Sequence, residues 1–312
     1  MKRFIRPTIA FLMAVLCLSL AVYAAAEPEA TAGDAAPVAE NLEITTYRGV
    51  SVGGVLSAVD PEGDSLTFTV TTPPSKGTLE LEEDGHFVYT PDQGRRGKDY
   101  FGYKALDSAG NSSQEATVII RLVKQKTKVT YSDMAGNGGA YAAAALSERG
   151  IFTGENLAGS YVFSPDTPVT RSQFLAMCME LSGAPLLEDV SATGFADDGE
   201  IGAWAKPYVS TALKSGVISG YTNGETAAVF GADRVISVGE AAVILDRTLD
   251  LTDTSVVWSS YEEAVPAWAC QSMSDLAACG MLPHGVSAAS TSLTRVQAAE
   301  MLVEAMRVLD ER

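Results

Sequence analysis

Val169-Thr170-Arg171-Ser172-Gln173 returns near the C-terminus as Leu293-Thr294-Arg295-Val296-Gln297, with a changed copy between them, Ile236-Ser237-Val238-Gly239-Glu240. Signatures spaced by roughly sixty residues mark an internal repeat, in which each unit buries its apolar face only against its neighbours. The spacing predicts three units, over 131–187, 188–252 and 253–312.

Each signature opens a helix. Thr170 with Gln173, Ser237 with Glu240 and Thr294 with Gln297 fit the capping box, in which a hydroxyl and a Glu/Gln side chain satisfy each other's helix-start amides. Val169 with Phe174, Ile236 with Ala241 and Leu293 with Ala298 fit the accompanying hydrophobic staple. Folding accounts for these residues without a ligand. An earlier helix in each unit is read from Trp204, Val209, Ala212 and Gly216, matched in spacing by Trp268, Met273, Leu276 and Gly280. These keep one apolar face and stop on glycine. The first unit aligns through Ala143, Leu146 and Gly150 but has Gly138 where the others have tryptophan.

Arg171 and Arg295 fall at the first helical position, where the helix dipole disfavours a cation by about 0.3–1 kcal/mol. Residues 131–312 hold 9 Lys/Arg against 23 Asp/Glu, and two of the nine occupy this place. A guanidinium beside free helix-start N–H groups would make an anion site able to grip a carboxylate. A surface arginine paired with an aspartate is the plainer alternative.

Upstream, 37–123 reads as an all-β sandwich. Leu66, Phe68 and Val70 alternate with threonines, Leu79 and Leu81 precede the turn Glu83-Asp84-Gly85, and 116–123 is rich in Val and Ile. Residues 124–130, with Lys124, Lys126 and Lys128, read as a solvated linker. The first 26 residues read as a secretory signal, with Lys2, Arg3 and Arg6 before an apolar run and Ala24-Ala25-Ala26 at its end. An Ala/Pro/Glu/Thr tether over 27–36 follows. Loss of those three cations would move the formal charge from −17 to −20. So acidic a chain should repel nucleic acid and anionic membranes, and no later run suggests a membrane span. Three cysteines would remain, Cys178, Cys270 and Cys279, with neither a disulfide framework nor zinc spacing.

Val59-Asp60-Pro61-Glu62-Gly63-Asp64, Tyr89-Thr90-Pro91 and Ala105-Leu106-Asp107-Ser108-Ala109-Gly110-Asn111 resemble bacterial Ig-like or cadherin-like surface modules. The resemblance implies a spacer or adhesive unit, in some cases one that binds calcium. Asp60, Glu62, Asp64 and Asp107 would then be the oxygen ligands; as turn formers they need no metal.

The repeats resemble the S-layer homology family. Phe195-x-Asp197, Trp204-Ala205, Gly216-Val217-Ile218-Ser219-Gly220-Tyr221, Phe163-x-Pro165 and the Thr-Arg pairs all fall in family order. The resemblance implies an all-α pseudo-trimer of three helical hairpins with grooves between neighbours. It implies non-covalent binding of a secondary cell-wall polysaccharide, often one bearing ketal-linked pyruvate; some bacteria use such repeats on peptidoglycan instead. Carried over by position, Arg171 and Arg295 would grip the acidic group and Trp204 and Trp268 would stack on sugar. Asp133, Asp197, Gly220 and Tyr221 would shape the groove. Val238 departs from the arginine, Gly138 from the tryptophan, and Pro283-His284-Gly285 from the Gly-Tyr loop; Glu262-Glu263 stands near the early aspartate of the third unit. The chain is therefore expected to be a non-catalytic, exported surface protein displaying one β module. The alternative is a self-assembling array protein whose repeats have lost sugar binding, with other surface proteins as partners.

Overall fold

Alternation of apolar and polar residues over 38–123 folds into two facing sheets. The strands are β1 (Val38–Ala39), β2 (Leu42–Tyr47), β3 (Val52–Val55), β4 (Ala58–Val59), β5 (Thr67–Thr72), β6 (Gly77–Leu81), β7 (His86–Pro91), β8 (Gly97–Leu106) and β9 (Ala116–Val123). One sheet has the order β2-β9-β8-β5 and the other β3-β7-β6, and β1 pairs with β4. Only β2 and β9 run parallel within these sheets. Every second residue of the long strands points inward, so Phe87, Tyr89, Phe101, Tyr103, Val118 and Ile120 form the filling. In this computed structural model the described residues are 34–222, 227–255, 265–283 and 288–311. The expected signal, most of the tether, Glu262, Glu263 and His284 lie outside them.

The repeats supply three helix pairs: α1 (Ala140–Arg149) with α2 (Arg171–Ser182), α3 (Lys206–Ser215) with α4 (Val238–Leu249), and α5 (Cys270–Ala278) with α6 (Arg295–Asp310). Gly150 and Gly216 end α1 and α3 in the left-handed conformation, as their positions predict. The helices share one core in which Phe163, Phe174, Phe230, Ile236 and Leu293 are fully buried. The region is not all-α. A hairpin of β10 (Glu155–Leu157) and β11 (Ser160–Val162) lies between α1 and α2, closed by Ala158 and Gly159. Both have positive φ, 52° and 91°, which suits a two-residue turn whose twist matches its strands.

The linker is tied down as well as solvated. Val129 is buried in the helical core, Gln125 Nε2 donates to the Val129 carbonyl at 2.9 Å, and the Thr127 N–H donates to Glu148 on α1 at 2.5 Å. Among the described residues no helix is long and apolar enough to cross a membrane.

Candidate functional site at the three helix starts

All three capping boxes form. Thr170 Oγ1 accepts from the Gln173 N–H at 3.3 Å while Gln173 Oε1 accepts from the Thr170 N–H at 3.1 Å. Ser237 with Glu240, and Thr294 with Gln297, repeat both bonds. The residue before each cap joins a ring: the Val169 N–H donates to Leu293, Leu293 to Ile236, and Ile236 to Val169, at 2.9, 3.0 and 3.0 Å. The first helical amides run round the three units in the opposite sense. Arg171, Val238 and Arg295 donate to the carbonyls of Arg234, Thr291 and Thr167, each at 2.9 Å, and Ser172, Gly239 and Val296 to those of Ala232, Ala289 and Pro165. Each unit's signature thus rests on the loop of the next, and the third closes on the first.

This ring corrects one expectation. The first two amides of each signature helix go to a neighbour's carbonyl and the third to the cap, so no such N–H is left for an anion. Any ligand at these positions would have to be met by side chains.

Arg171 is 8 % exposed. Its guanidinium lies over the Phe230 ring at 5.3 Å, its Nη1 stands 4.0 Å from Glu240 Oε1, and its Nε is buried without a hydrogen-bond partner. Burial pushes its pKa down, against the pull of Glu240. Arg295 occupies the corresponding place between the third and first units, over Phe152 at 5.3 Å, with Nη1 donating to the Phe163 carbonyl at 2.6 Å. Neither is the plain surface arginine of the alternative reading. Arg234, which the sequence reading passed over, joins Arg171: it pairs with Glu240 and lies over the Tyr221 ring at 5.3 Å. Its signal was available, since Arg234 precedes the second signature, which lacks arginine.

Asp133 and Asp197 hold loops. The Asp133 carboxylate accepts from the Phe163 and Ser164 amides, and Asp197 from those of Phe230 and Gly231, at 2.6–3.1 Å. They shape the site through the backbone. Gly220 (φ 72°) must be glycine, because a Cβ would stand 2.8 Å from the Val229 carbonyl oxygen. It directs Tyr221 into its paired bonds with Val229.

Trp204 and Trp268 are 56 % and 58 % exposed. They stand at equivalent places just before α3 and α5, and Trp268 lies beside Gly239 at the start of α4. Large aromatic rings this far out of the core are free to stack on a ligand.

In the β module, Asp60 Oδ1 accepts from the Glu62 and Asp64 amides and Asp107 Oδ1 from those of Ala109 and Asn111. Both act as turn formers. Each leaves its Oδ2 buried without a hydrogen-bond partner, and among the described residues no three acidic, His or Cys side chains are grouped to hold a metal. Cys178, Cys270 and Cys279 are free thiols, and burial pushes that of Cys178 up.

Residues 34–125 match the family model of the bacterial cadherin-like domain, and residues 130–175 and 194–242 match that of the S-layer homology domain. The chain carries a bacterial cadherin-like domain followed by S-layer homology domains. Similar proteins include the exoglucanase XynX of Acetivibrio thermocellus, 28% identical over 210 residues (64% of this chain, 18% of that protein). Another is the surface-layer 125 kDa protein of Lysinibacillus sphaericus, 29% identical over 150 residues (46% of this chain, 12% of that protein). The chain spans less than a fifth of the length of either relative. A solved structure of human protocadherin-24 EC1-2 aligns with 30% of this chain and 46% of its own, at 13% identity and a TM-score of 0.25. The matched S-layer homology residues contain Asp133, Thr170 and Arg171 of the first unit and Asp197, Trp204, Tyr221 and Ser237 of the second.

Proposed function

We propose that this is a non-catalytic cell-surface protein whose S-layer homology repeats anchor it non-covalently to an acidic secondary polysaccharide of the cell wall, displaying the cadherin-like module. The observation that carries the reading is the pair of exposed tryptophans, Trp204 and Trp268, at matching places just before α3 and α5, with Trp268 beside the start of α4. The ring of backbone bonds supports the arrangement of the three units as a pseudo-trimer, with a groove at each seam. The seam between the first two units concentrates cations in an acidic chain: Arg171 and Arg234 flank one carboxylate, Glu240. An anionic sugar group is the ligand that such a seam would favour. Long-range attraction between two acidic partners is absent, so binding rests on short-range contacts that salt screens weakly.

Sedimentation of the chain with purified cell-wall sacculi tests this. Wild type should sediment with untreated sacculi and stay in solution with sacculi stripped of secondary polymer by hydrofluoric acid. Trp204→Ala with Trp268→Ala should remove binding while leaving the melting temperature unchanged, because both rings are largely solvent-exposed. Binding to stripped sacculi would turn the reading to peptidoglycan, and full retention of the double variant would end it.

Any calcium in the module would act at the unpartnered Oδ2 atoms of Asp60 and Asp107. Two oxygens fall short of calcium's usual six to eight. A rise in the module's melting temperature on adding calcium, absent in Asp107→Asn, would support its binding there.

A further inference from the structure

The first repeat lacks the tryptophan of its partners, and the residue in its place touches the β module. The Gly138 carbonyl accepts from the Gly53 N–H of β3 at 2.8 Å, and the Tyr141 N–H donates to the Ser51 carbonyl at 3.1 Å. The two glycines meet so closely that a Cβ on either would stand 3.3 Å from the other's Cα. Beside them Tyr141 packs on Tyr47, ring centroids 5.3 Å apart.

Each side of this contact satisfies a need of the other. β3 is an edge strand, bonded to β7 alone within its sheet, so its outward N–H groups require a partner. Helix α1 has no side-chain cap, since Gly139 stands at its N-cap, and one of its first amides, that of Tyr141, is answered by the module. Glycine is needed twice over in the first unit. Gly138 admits the module, and a Cβ at Gly139 would run into Val296 on α6. The aligned residues in the other units are Trp204-Ala205 and Trp268-Ala269.

We propose that the β3 edge is the built-in occupant of the surface that the second and third repeats present with tryptophan. The module and the first repeat then form one rigid body, and the first repeat offers no aromatic platform to an outside ligand at this place. The absence of tryptophan at 138 is thus a change of use. The joint does not depend on wall binding.

Backbone ¹⁵N relaxation of the full chain tests it. Wild type should tumble with one rotational correlation time shared by module and repeats. Gly138→Trp, and separately Gly53→Val from the other side of the contact, should split it into two shorter, unequal times while the chemical shifts within each domain stay in place. Two independent times in wild type would overturn the joint, as would a single shared time in both folded variants; if one variant fails to fold, the other and wild type decide. Sacculi retention measured on the same samples separates the two readings: uncoupled tumbling with retention intact leaves the anchor standing.

Discussion

Glu300→Gln should make the protein more stable at alkaline pH and remove one source of its pH dependence. Glu300 lies on α6, lining an open cleft of about 1620 Å³ between the repeats and the module, with Phe87, Val88 and Tyr141 among the other walls. Burial pushes its carboxyl from 4.5 up to about 7. The proton is therefore held more tightly in the folded chain than in the unfolded one. The neutral carboxyl carries no ionisation penalty below the unfolded value, and the penalty grows as pH rises and is complete above about 7. A shift of that size corresponds to at most about 3 kcal/mol, of which about 2 kcal/mol falls between roughly pH 5.5 and 8.5. Glutamine keeps the shape and never ionises, so the stability difference between variant and wild type should widen by about 1–2 kcal/mol across that range once partial exposure is allowed for. Urea unfolding followed by helical circular dichroism at both pH values measures it. An equal difference at the two ends would refute the burial argument.

The remaining predictions concern the ring of helix starts. Thr170→Ala, Ser237→Ala and Thr294→Ala should each cost about 1 kcal/mol in urea unfolding, since each removes a cap that the structure uses fully. Asp197→Asn should destabilise by about 1–3 kcal/mol in urea unfolding, because one of the two loop amides loses its acceptor. Arg171→Ala should lower the melting temperature more than Trp204→Ala, because the arginine is buried at a seam and the tryptophan is not. Equal shifts in a thermal scan would contradict that ranking.

Much of this protein was legible where the determining interactions are local. A capping box spans four residues, so Thr170-x-x-Gln173 announces its helix from the sequence alone, and period-two alternation does the same for the sandwich. What escaped reading depends on residues distant in the chain. Asp133 was placed at the groove by position alone; how it acts was hidden, because its partners, the Phe163 and Ser164 amides, lie some thirty residues on. The helix-start amides looked available because the carbonyls that take them belong to other units. Gly138 looked like decay because alignment against sister repeats cannot see β3. The hairpin closed by Ala158-Gly159 was not foreseen, since strands of three residues carry no period to detect.

The ring of Val169, Ile236 and Leu293 also bears on how the chain matures. Its three bonds join segments that leave the ribosome in succession, and two of them involve Leu293. Such distant closures are slow steps in folding. A chain broken off before the third signature keeps only the Ile236-to-Val169 bond and leaves the amides of Val169 and Arg295's partner carbonyl at Thr167 without their native counterparts. The third signature is what locks the first, so the first repeat reaches its native bonding only after a segment more than a hundred residues further along the chain has folded against it.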